Sequence, residues 1–305
     1  MEKERLIWFK GEIIPLSDAK INVLSPTSQF GANVFEGLRA YWNEIQNQLY
    51  IFRLHEHSKR LLNSVKMMRF EERYNLEFLS NSCKDIIIAN GFKQDIAIRQ
   101  TIFLDGFGSW FSNTPTDMFI APIARERVLS NEKKGVHTCI SSWERINDNS
   151  LSPKIKVGAN YINSRAGQLE ALRNNYDFTI FLNNKGQVSE GPGSCLILIR
   201  EGKLITPPIT GSILESITRS TVIQIAKEEL GLEVEEREVD RTELYIADEI
   251  FFCGTAVEII PILSVDRIDI GIGKEGSITN KLKKTYFDIV RGNNNKYKNW
   301  LTPVY

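Results

Sequence analysis

The stretch Lys156-Val157-Gly158-Ala159-Asn160-Tyr161 decides the fold of this 305-residue chain. A lysine by itself is usually a solvated surface residue, and Lys154 lies only two positions earlier. Lys156 differs because a glycine, an asparagine and a tyrosine follow it closely, a context that Lys154 lacks. The stretch becomes informative when the segments on either side of it are considered with it.

Five further segments accompany this stretch, and each of them is weak evidence on its own. In chain order they are Val34-Phe35-Glu36-Gly37-Leu38-Arg39, Ser141-Ser142-Trp143, Ser189-Glu190-Gly191-Pro192-Gly193, Ile217-Thr218-Arg219 and Cys253-Gly254-Thr255-Ala256. The six segments in this order resemble the branched-chain aminotransferase family. The C-terminal Trp300-Leu301-Thr302-Pro303-Val304 is similar to that family as well, so the resemblance covers nearly the whole chain.

The resemblance implies a fold class and a domain organisation. The family has the pyridoxal 5′-phosphate (PLP) fold type IV, a mixed α/β (α+β) fold of two domains with the cofactor between them. We expect a smaller N-terminal α/β domain at 1–124, an interdomain connection at 125–135, and a larger C-terminal α/β domain at 136–305 that carries the cofactor lysine. The family forms homodimers or larger homo-oligomers, so a second copy of the chain is an expected partner.

The composition disfavours several other classes of protein. The chain has 38 basic and 38 acidic side chains and a formal net charge of zero, so no surplus charge points to a nucleic acid or an anionic membrane. Its four cysteines form no CxxC pair, which disfavours a zinc site or a disulfide framework. The charged start from Met1 to Arg5 leads into no long apolar run. We therefore expect no signal peptide or membrane anchor, and a cytoplasmic enzyme that acts on small molecules.

The segment His55-Glu56-His57 raises the question of a metal site. Residues i and i+2 of a helix point to different faces, and no third ligand is evident in the sequence. We therefore expect no metal.

Hydrophobic periodicity and turn residues predict strands and helices along the whole chain. A small hairpin is predicted from Leu6 to Phe9 and from Glu12 to Pro15, around Lys10-Gly11. Further strands are predicted at 34–42, 48–53, 96–104, 118–123, 137–142, 178–182, 196–200 and 249–253. Helices are predicted at 54–68, 77–90, 163–175, 217–230 and 278–290. The helix at 163–175 is predicted from the spacing of Ala166, Leu169 and Leu172.

PLP chemistry needs a lysine amine, an acid beside the pyridine nitrogen and an anion site for the phosphate. By resemblance, Lys156 is the catalytic lysine that holds PLP as a Schiff base, and its amine can also move the substrate proton. Tyr161 matches the residue that hydrogen-bonds the phenolic oxygen of PLP, and Glu190 matches the acid. Phosphate binding and packing on the ring fall to Arg60, Ile217, Thr218, Thr255 and Leu214. A surface arginine with a snorkelling stem and a core leucine are the alternatives for Arg60 and Leu214.

The implied substrate pocket departs from the family pattern. Its residues are Phe30, Phe35, Arg39, Ala97, Arg99, Trp110, Thr255 and Ala256. Phe30 and Ala97 stand where the family usually has tyrosine, Pro122–Arg127 replaces a tryptophan-containing segment, and Ser194-Cys195 replaces Glu-Asn. Trp110 belongs to a loop that reaches the neighbouring subunit's pocket in the family, although an ordinary loop tryptophan explains it equally well. The changes predict retained PLP catalysis with altered substrate choice, or a branched-chain enzyme whose pocket is rebuilt by other residues.

The leading hypothesis is a PLP-dependent L-amino-acid aminotransferase that passes nitrogen from an amino acid to a 2-oxo acid such as 2-oxoglutarate in a ping-pong cycle. The segment Val34–Arg39 favours the L-specific branch of the family. A lyase of the same fold, similar to aminodeoxychorismate lyase, is an alternative. A PLP-free binding protein is another, although intact Lys156 and Glu190 argue against it.

Overall fold

The structure is a computed structural model that describes residues 4–124 and 134–305. Residues 125–133 of the predicted connection lie outside the described residues, as does the Arg125–Arg127 part of the divergent pocket segment. Within the described part, no helix has the length and apolar character needed to cross a membrane.

The described residues form fifteen strands and six α-helices. The strands are β1 Leu6–Phe9, β2 Glu12–Pro15, β3 Asn33–Asn43, β4 Gln48–Phe52, β5 Ile96–Leu104, β6 Thr116–Ala124, β7 Val136–Glu144, β8 Phe178–Leu182, β9 Cys195–Arg200, β10 Lys203–Thr206, β11 Val234–Glu236, β12 Glu249–Gly254, β13 Glu258–Val265, β14 Ile268–Asp269 and β15 Leu301–Pro303. The helices are α1 Pro26–Phe30, α2 Leu54–Met67, α3 Leu76–Asn90, α4 Tyr161–Arg173, α5 Ile217–Leu230 and α6 Ser277–Val290. The predicted mixed α/β fold is confirmed.

The chain divides into two compact units that are not consecutive in sequence. Of the described residues, the first unit contains 4–124, 155–159 and 288–305, and the second contains 134–154 and 160–287. The predicted C-terminal domain at 136–305 includes two segments, 155–159 and 288–305, that belong to the first unit. The reason is backbone pairing, because β15 adds to β4 and Val157 bridges Val34 of β3.

The first unit is built on an antiparallel sheet of the described strands β15-β4-β3-β5-β6-β1-β2, in that order. Its edge hairpin pairs Leu6 with Pro15 and Phe9 with Glu12, as predicted. Both turn residues have positive φ, 53° at Lys10 and 102° at Gly11, which matches the right-handed twist of a two-residue hairpin.

Two helices pack on this sheet and bring polar side chains toward it. α2 confirms the predicted helix and buries Leu54, Leu61 and Val65 against the sheet. α3 ends at Gly91 with a φ of 67°, the left-handed helix end that the glycine predicts.

The second unit contains a mixed sheet with the strand order β11-β10-β9-β12-β13-β7-β8, to which β14 adds at β13. The strands β7 and β8 are parallel, as are β7 and β13, whereas β9, β12 and β13 are antiparallel neighbours. The sheet core is almost entirely aliphatic, and its buried side chains include Ile180, Leu198 and Ile250.

The helix α4 confirms the predicted helix but not the predicted face. Its buried residues are Ser164, Gly167 and Ala171, whereas Leu169 and Leu172 are exposed. A Cβ atom at Gly167 would lie 2.5 Å from the ring of Phe181. The helix therefore lies so close to the sheet that only small residues fit between them.

Candidate active site

The segment that carries Lys156 is fixed to the first unit by its backbone. β4 pairs with β3 only from Ala40 onward, so the first residues of β3 have no neighbour from β4 on that side. The segment fills this place. The N–H of Phe35 donates to the Lys156 carbonyl at 2.9 Å, and the N–H of Lys156 donates to Ser64 Oγ at 3.2 Å.

A glycine permits this close approach. A Cβ atom on Gly158 would lie 2.7 Å from the Oδ1 atom of Asn33, closer than such atoms come without displacing a neighbour. A larger residue at 158 would therefore displace the Asn33 side chain, and Gly158 belongs to the stretch from which the family resemblance began.

The Phe35 ring contacts two cationic side chains, both of which belong to the predicted site. The Lys156 Nζ atom is 5.0 Å from the centroid of the Phe35 ring, and the Arg99 Cζ atom is 4.1 Å from it. Both distances suit a cation–π contact. The structure thus brings together Lys156, which is predicted to bind the cofactor, and two residues of the predicted substrate pocket.

The other predicted pocket residues of the first unit differ in exposure. Arg39 is only 1% exposed, whereas Phe30 is 47% exposed at the end of α1. Ala97 is the strand partner of Arg39, so the two are neighbours in the sheet. Trp110 is 72% exposed and makes an edge contact with Phe111.

A buried carboxylate orients Arg60, the predicted phosphate ligand. The Arg60 Nε atom donates to Glu36 Oε1 at 2.7 Å, and the Nη2 atom donates to Oε2 at 2.8 Å. His57 Nδ1 lies 2.7 Å from the same Oε2 atom. His57, Arg60 and Ser64 are three and four residues apart on α2, so they share the face that meets β3 and the Lys156 segment.

The protonation states of this cluster follow from its burial and its charges. Burial opposes ionisation of Glu36, but Arg60 and His57 outweigh it and hold the pKa of Glu36 well below its usual range. Burial lowers the pKa of His57, although Glu36 opposes that shift. The cluster is therefore an ionised Glu36, a cationic Arg60 and a neutral His57. His57 contacts a carboxylate, and no metal-binding group of three His, Cys, Asp or Glu side chains occurs within the described residues.

Glu190 is a buried acid of the second unit. It lies eight residues after the end of β8, and its carbonyl accepts from the N–H of Phe181 in that strand at 2.9 Å. A tight turn into β9 follows, in which the Gly191 N–H donates to the Ser194 carbonyl at 2.8 Å. Glu190 is 3% exposed. Its Oε1 atom accepts from Arg145 Nε at 2.9 Å and lies 2.8 Å from Nη2. Its Oε2 atom accepts from the Leu214 N–H at 3.3 Å.

Four residues that the sequence reasoning missed surround the predicted ones. Arg145 holds Glu190, Glu36 holds Arg60, His57 shares Glu36, and Cys195 places its sulfur 3.8 Å from Glu190 Oε2. Glu36 lies inside a quoted motif and Cys195 inside a quoted departure from the family, and an acid between Phe35 and Gly37 of a predicted strand was the available signal for Glu36. No sequence pattern indicated that Arg145 meets Glu190, 45 residues later.

The start of α5 has the features of an anion site. Ser216 caps the helix and accepts from the Arg219 N–H at 3.2 Å, and the first residues Ile217 and Thr218 are buried. The first N–H groups of a helix have no carbonyl partner within the helix, and the helix dipole adds partial positive charge there. Thr255 and Ala256 follow the end of β12, and Tyr161 is the first residue of α4.

Comparisons with known proteins identify the family of the chain. The family model for amino-transferase class IV matches residues 33–265, and the chain belongs to that family. The chain is 37% identical over 309 residues to the branched-chain-amino-acid aminotransferase of Escherichia coli, covering 99% of this chain and 98% of that protein. The predicted family is confirmed.

Two solved structures are similar to the chain over its whole length. One is the branched-chain amino acid aminotransferase from Thermobaculum terrenum in PLP form, with 43% identity, a TM-score of 0.94 and 100% of both chains covered. The other is a T.th. branched-chain amino acid aminotransferase complexed with N-(5′-phosphopyridoxyl)-L-glutamate, with 36% identity, a TM-score of 0.93 and 99% of both chains covered. The chain has the PLP fold type IV, as predicted.

Proposed function

We propose that this chain is a PLP-dependent L-amino-acid aminotransferase that acts on branched-chain or related amino acids, with 2-oxoglutarate as the amino acceptor. The observation that carries the proposal is Lys156. Its backbone is held by Phe35 and Ser64, and its amine lies over the Phe35 ring. A lysine fixed at its backbone in this family's motif suits a covalent cofactor better than a solvated surface lysine does.

The available side chains fit PLP. The cofactor needs an amine, an acid and an anion site, and the chain supplies Lys156, the buried Glu190, and the α5 start at Ile217 and Thr218. Arg60 is held with its guanidinium plane fixed by Glu36, which prepares it for a phosphate. The named relatives support the same cofactor, since one structure is the PLP form and another holds a phosphopyridoxyl-glutamate.

Bound PLP supplies the electron sink that makes the bond to the substrate's α-hydrogen weak. The protein's residues supply the rest. The Lys156 amine binds the cofactor covalently and, once displaced, accepts and returns the α-proton. Glu190 holds the proton on the ring nitrogen, Arg60 with the α5 start binds the phosphate, and Tyr161 donates to the phenolic oxygen. Phe35 covers one side of the Lys156 amine and limits its contact with water.

A trapping experiment tests the role of Lys156. Borohydride should fix PLP to the wild-type protein and to Lys154→Ala, the matched control two residues away, and peptide mapping should place the label on Lys156. Lys156→Ala should bind PLP without a reducible link and lose turnover. A label on another lysine would refute the assignment.

A half-reaction distinguishes the proposed aminotransferase from the alternatives. When L-glutamate is added without an acceptor, a ping-pong aminotransferase should form about one 2-oxoglutarate per subunit and then stop. A lyase of the same fold would form none from glutamate. A PLP-free binding protein would show no cofactor absorbance at all.

The role proposed for Glu190 is tested by Glu190→Gln. The amide keeps the size of the side chain but cannot hold the ring nitrogen protonated. The variant should bind PLP and lose on the order of 10²-fold or more in rate, as happens when a key electrostatic partner is removed. A rate near that of wild type would refute the role.

Substrate choice is a separate proposal. The names of the relatives support branched-chain donors, whereas Phe30 and Ala97 lack hydroxyls that the family usually has. We expect efficient use of glutamate and 2-oxoglutarate, weaker use of leucine, isoleucine and valine than is usual in the family, and better use of a bulkier or more polar partner. A kcat/KM panel over aliphatic, aromatic and basic amino acids tests this.

The variant Ala97→Tyr sharpens the panel. Ala97 is the strand partner of Arg39, so a tyrosine there restores bulk and a hydroxyl beside a predicted substrate residue. The ratio of kcat/KM for leucine over the best bulky donor should rise about tenfold, since filling a pocket gap changes discrimination by ~1–3 kcal/mol. A wild-type panel led clearly by the three branched-chain amino acids would refute the altered choice.

We also propose a cytoplasmic homodimer or larger homo-oligomer. Three aromatic side chains of the loop that begins at Gly106 support self-association, because Phe107, Trp110 and Phe111 are 76%, 72% and 73% exposed. Clustered exposed aromatic residues usually mark an interaction surface. Light scattering after gel filtration should give at least twice the mass of one chain. If Trp110 reaches a neighbouring subunit's pocket, Trp110→Ala should change KM while the oligomer persists.

A further inference from the structure

Arg145 is oriented by several partners at once. It is 8% exposed and follows the last residue of β7. Its Nη1 atom donates to Asn163 Oδ1 at 3.1 Å and to Ser164 Oγ at 3.3 Å. Asn163 is itself fixed, because its amide donates to the Glu144 carbonyl at 2.9 Å. The guanidinium therefore has little freedom to turn.

The geometry of the Arg145–Glu190 pair is end-on. Both Nε and Nη2 meet the same oxygen, Oε1, at 2.9 and 2.8 Å. A fork-like pair would use both carboxylate oxygens, as Arg60 does with Glu36. At Oε2 the Leu214 N–H at 3.3 Å and the Cys195 sulfur at 3.8 Å are longer contacts with weaker donors. The arginine charge is thus concentrated at Oε1, whereas Oε2 carries only the two longer contacts.

We propose that Arg145 is a positioning residue that keeps the proton of the Glu190–ring nitrogen pair on the nitrogen. This inference rests on the proposed function, in which Glu190 pairs with the pyridine nitrogen of PLP. A proton shared by a carboxylate and a pyridine can reside on either group. A site without water favours the neutral acid with the neutral pyridine over the carboxylate with the pyridinium. A cation at Oε1 lies closer to the carboxylate than to a group at Oε2, so it favours the ionised acid more than it opposes the protonated ring.

A double-mutant cycle with a spectroscopic readout tests this role. Wild type, Arg145→Met, Glu190→Gln and the double variant are loaded with PLP labelled with ¹⁵N in the ring. The ¹⁵N resonance reports ring protonation, and kcat and KM are measured beside it. The resonance of Arg145→Met should move toward the unprotonated position seen in Glu190→Gln. Its kcat should fall about 10–100-fold, the range found for groups that orient a metal ligand, with KM changed less.

The cycle separates the outcomes. If Arg145 acts through Glu190, the double variant should match Glu190→Gln within about threefold, whereas independent residues would multiply their losses. Multiplied losses, or a wild-type resonance in Arg145→Met, would overturn the inference and leave Arg145 with a structural role only. A wild-type resonance and rate in Glu190→Gln would instead overturn the role proposed for Glu190, whereas failure of the glutamate half-reaction would overturn the proposed function.

Two more variants protect the experiment from a folding artefact. Arg145→Lys keeps the charge and should restore the wild-type resonance at least in part. If Arg145→Met does not fold, a fully unprotonated ring in Arg145→Lys would contradict the charge argument. Arg237→Met is the matched control, because Arg237 pairs with Glu243 at 2.9 and 2.5 Å in the same unit. It should leave the resonance unchanged.

Discussion

Replacing Glu36 by glutamine tests how the cluster at Arg60 is held together. Glu36 is 0% exposed and lies within 2.8 Å of three nitrogen atoms, two of Arg60 and one of His57. Glutamine keeps the volume but removes the charge and turns an NH₂ group toward one of those donors. Breaking a buried ion pair by removing one partner costs ~3–5 kcal/mol. We expect Glu36→Gln to lower the free energy of unfolding by that amount.

Urea unfolding of the PLP-free protein, followed by circular dichroism, measures this loss. Glu56→Gln is the matched control, since Glu56 pairs with Arg53 at 2.7 Å on the same helix but its side chain is 33% exposed. The control should lose less than ~1 kcal/mol, as partly exposed pairs do. The reasoning is refuted if the two variants lose equal amounts. A folded Glu36→Gln should also bind PLP more weakly, because Arg60 loses the partner that fixes its plane.

Three further predictions concern protonation and packing. Burial lowers the pKa of His57, so the unfolded chain binds a proton near pH 6.5 that the folded chain does not. Stability should therefore fall as the pH drops below about 6.5, by up to ~1.4 kcal/mol per pH unit, and His57→Asn should reduce this slope in urea titrations at several pH values. Burial raises the pKa of both Cys83 and Cys253 to about 12, so a thiol reagent should label them only after denaturation, and rapid labelling of the native protein would contradict this. A Cβ atom at Gly191 would lie 2.7 Å from the Phe252 ring, so Gly191→Ala should cost ~1–3 kcal/mol by thermal unfolding, and an unchanged Tm would show that the turn adapts.

Much of the fold could be predicted because local signals agree with the tertiary structure. The hairpin at Lys10-Gly11 and the end of α3 at Gly91 depend on backbone angles that these residues favour. β13 was missed because its run is continuously apolar and contains Pro261, which usually argues against a central strand. Pro261 is tolerated there because pairing with β7 begins only at Ile262.

The residues proposed to bind the cofactor could be predicted from motifs, but the residues that hold them in place could not. Lys156 and Glu190 could be assigned their roles because the segments that contain them occur in the same order as in the family. Arg145 has no motif of its own, and only the parallel pairing of β7 with β8 brings it to the turn that holds Glu190. The prediction of the buried face of α4 was wrong for a related reason. The spacing of Leu169 and Leu172 predicts a helix, but close packing against the sheet at Gly167 leaves room only for small residues on the buried face.

The two buried glutamate–arginine pairs, Glu36–Arg60 and Glu190–Arg145, differ in how the guanidinium meets the carboxylate. Glu36 uses both oxygens on Arg60, so the plane of the guanidinium is fixed. Arg145 meets Glu190 at Oε1 alone, and its Nη1 atom donates to Asn163 and Ser164. The two pairs therefore differ in geometry, fork-like at Glu36 and end-on at Glu190, whose Oε2 accepts from the Leu214 N–H instead. A buried charge costs several kcal/mol unless it is paired, and each pair meets that requirement while fixing the orientation of both of its charged groups.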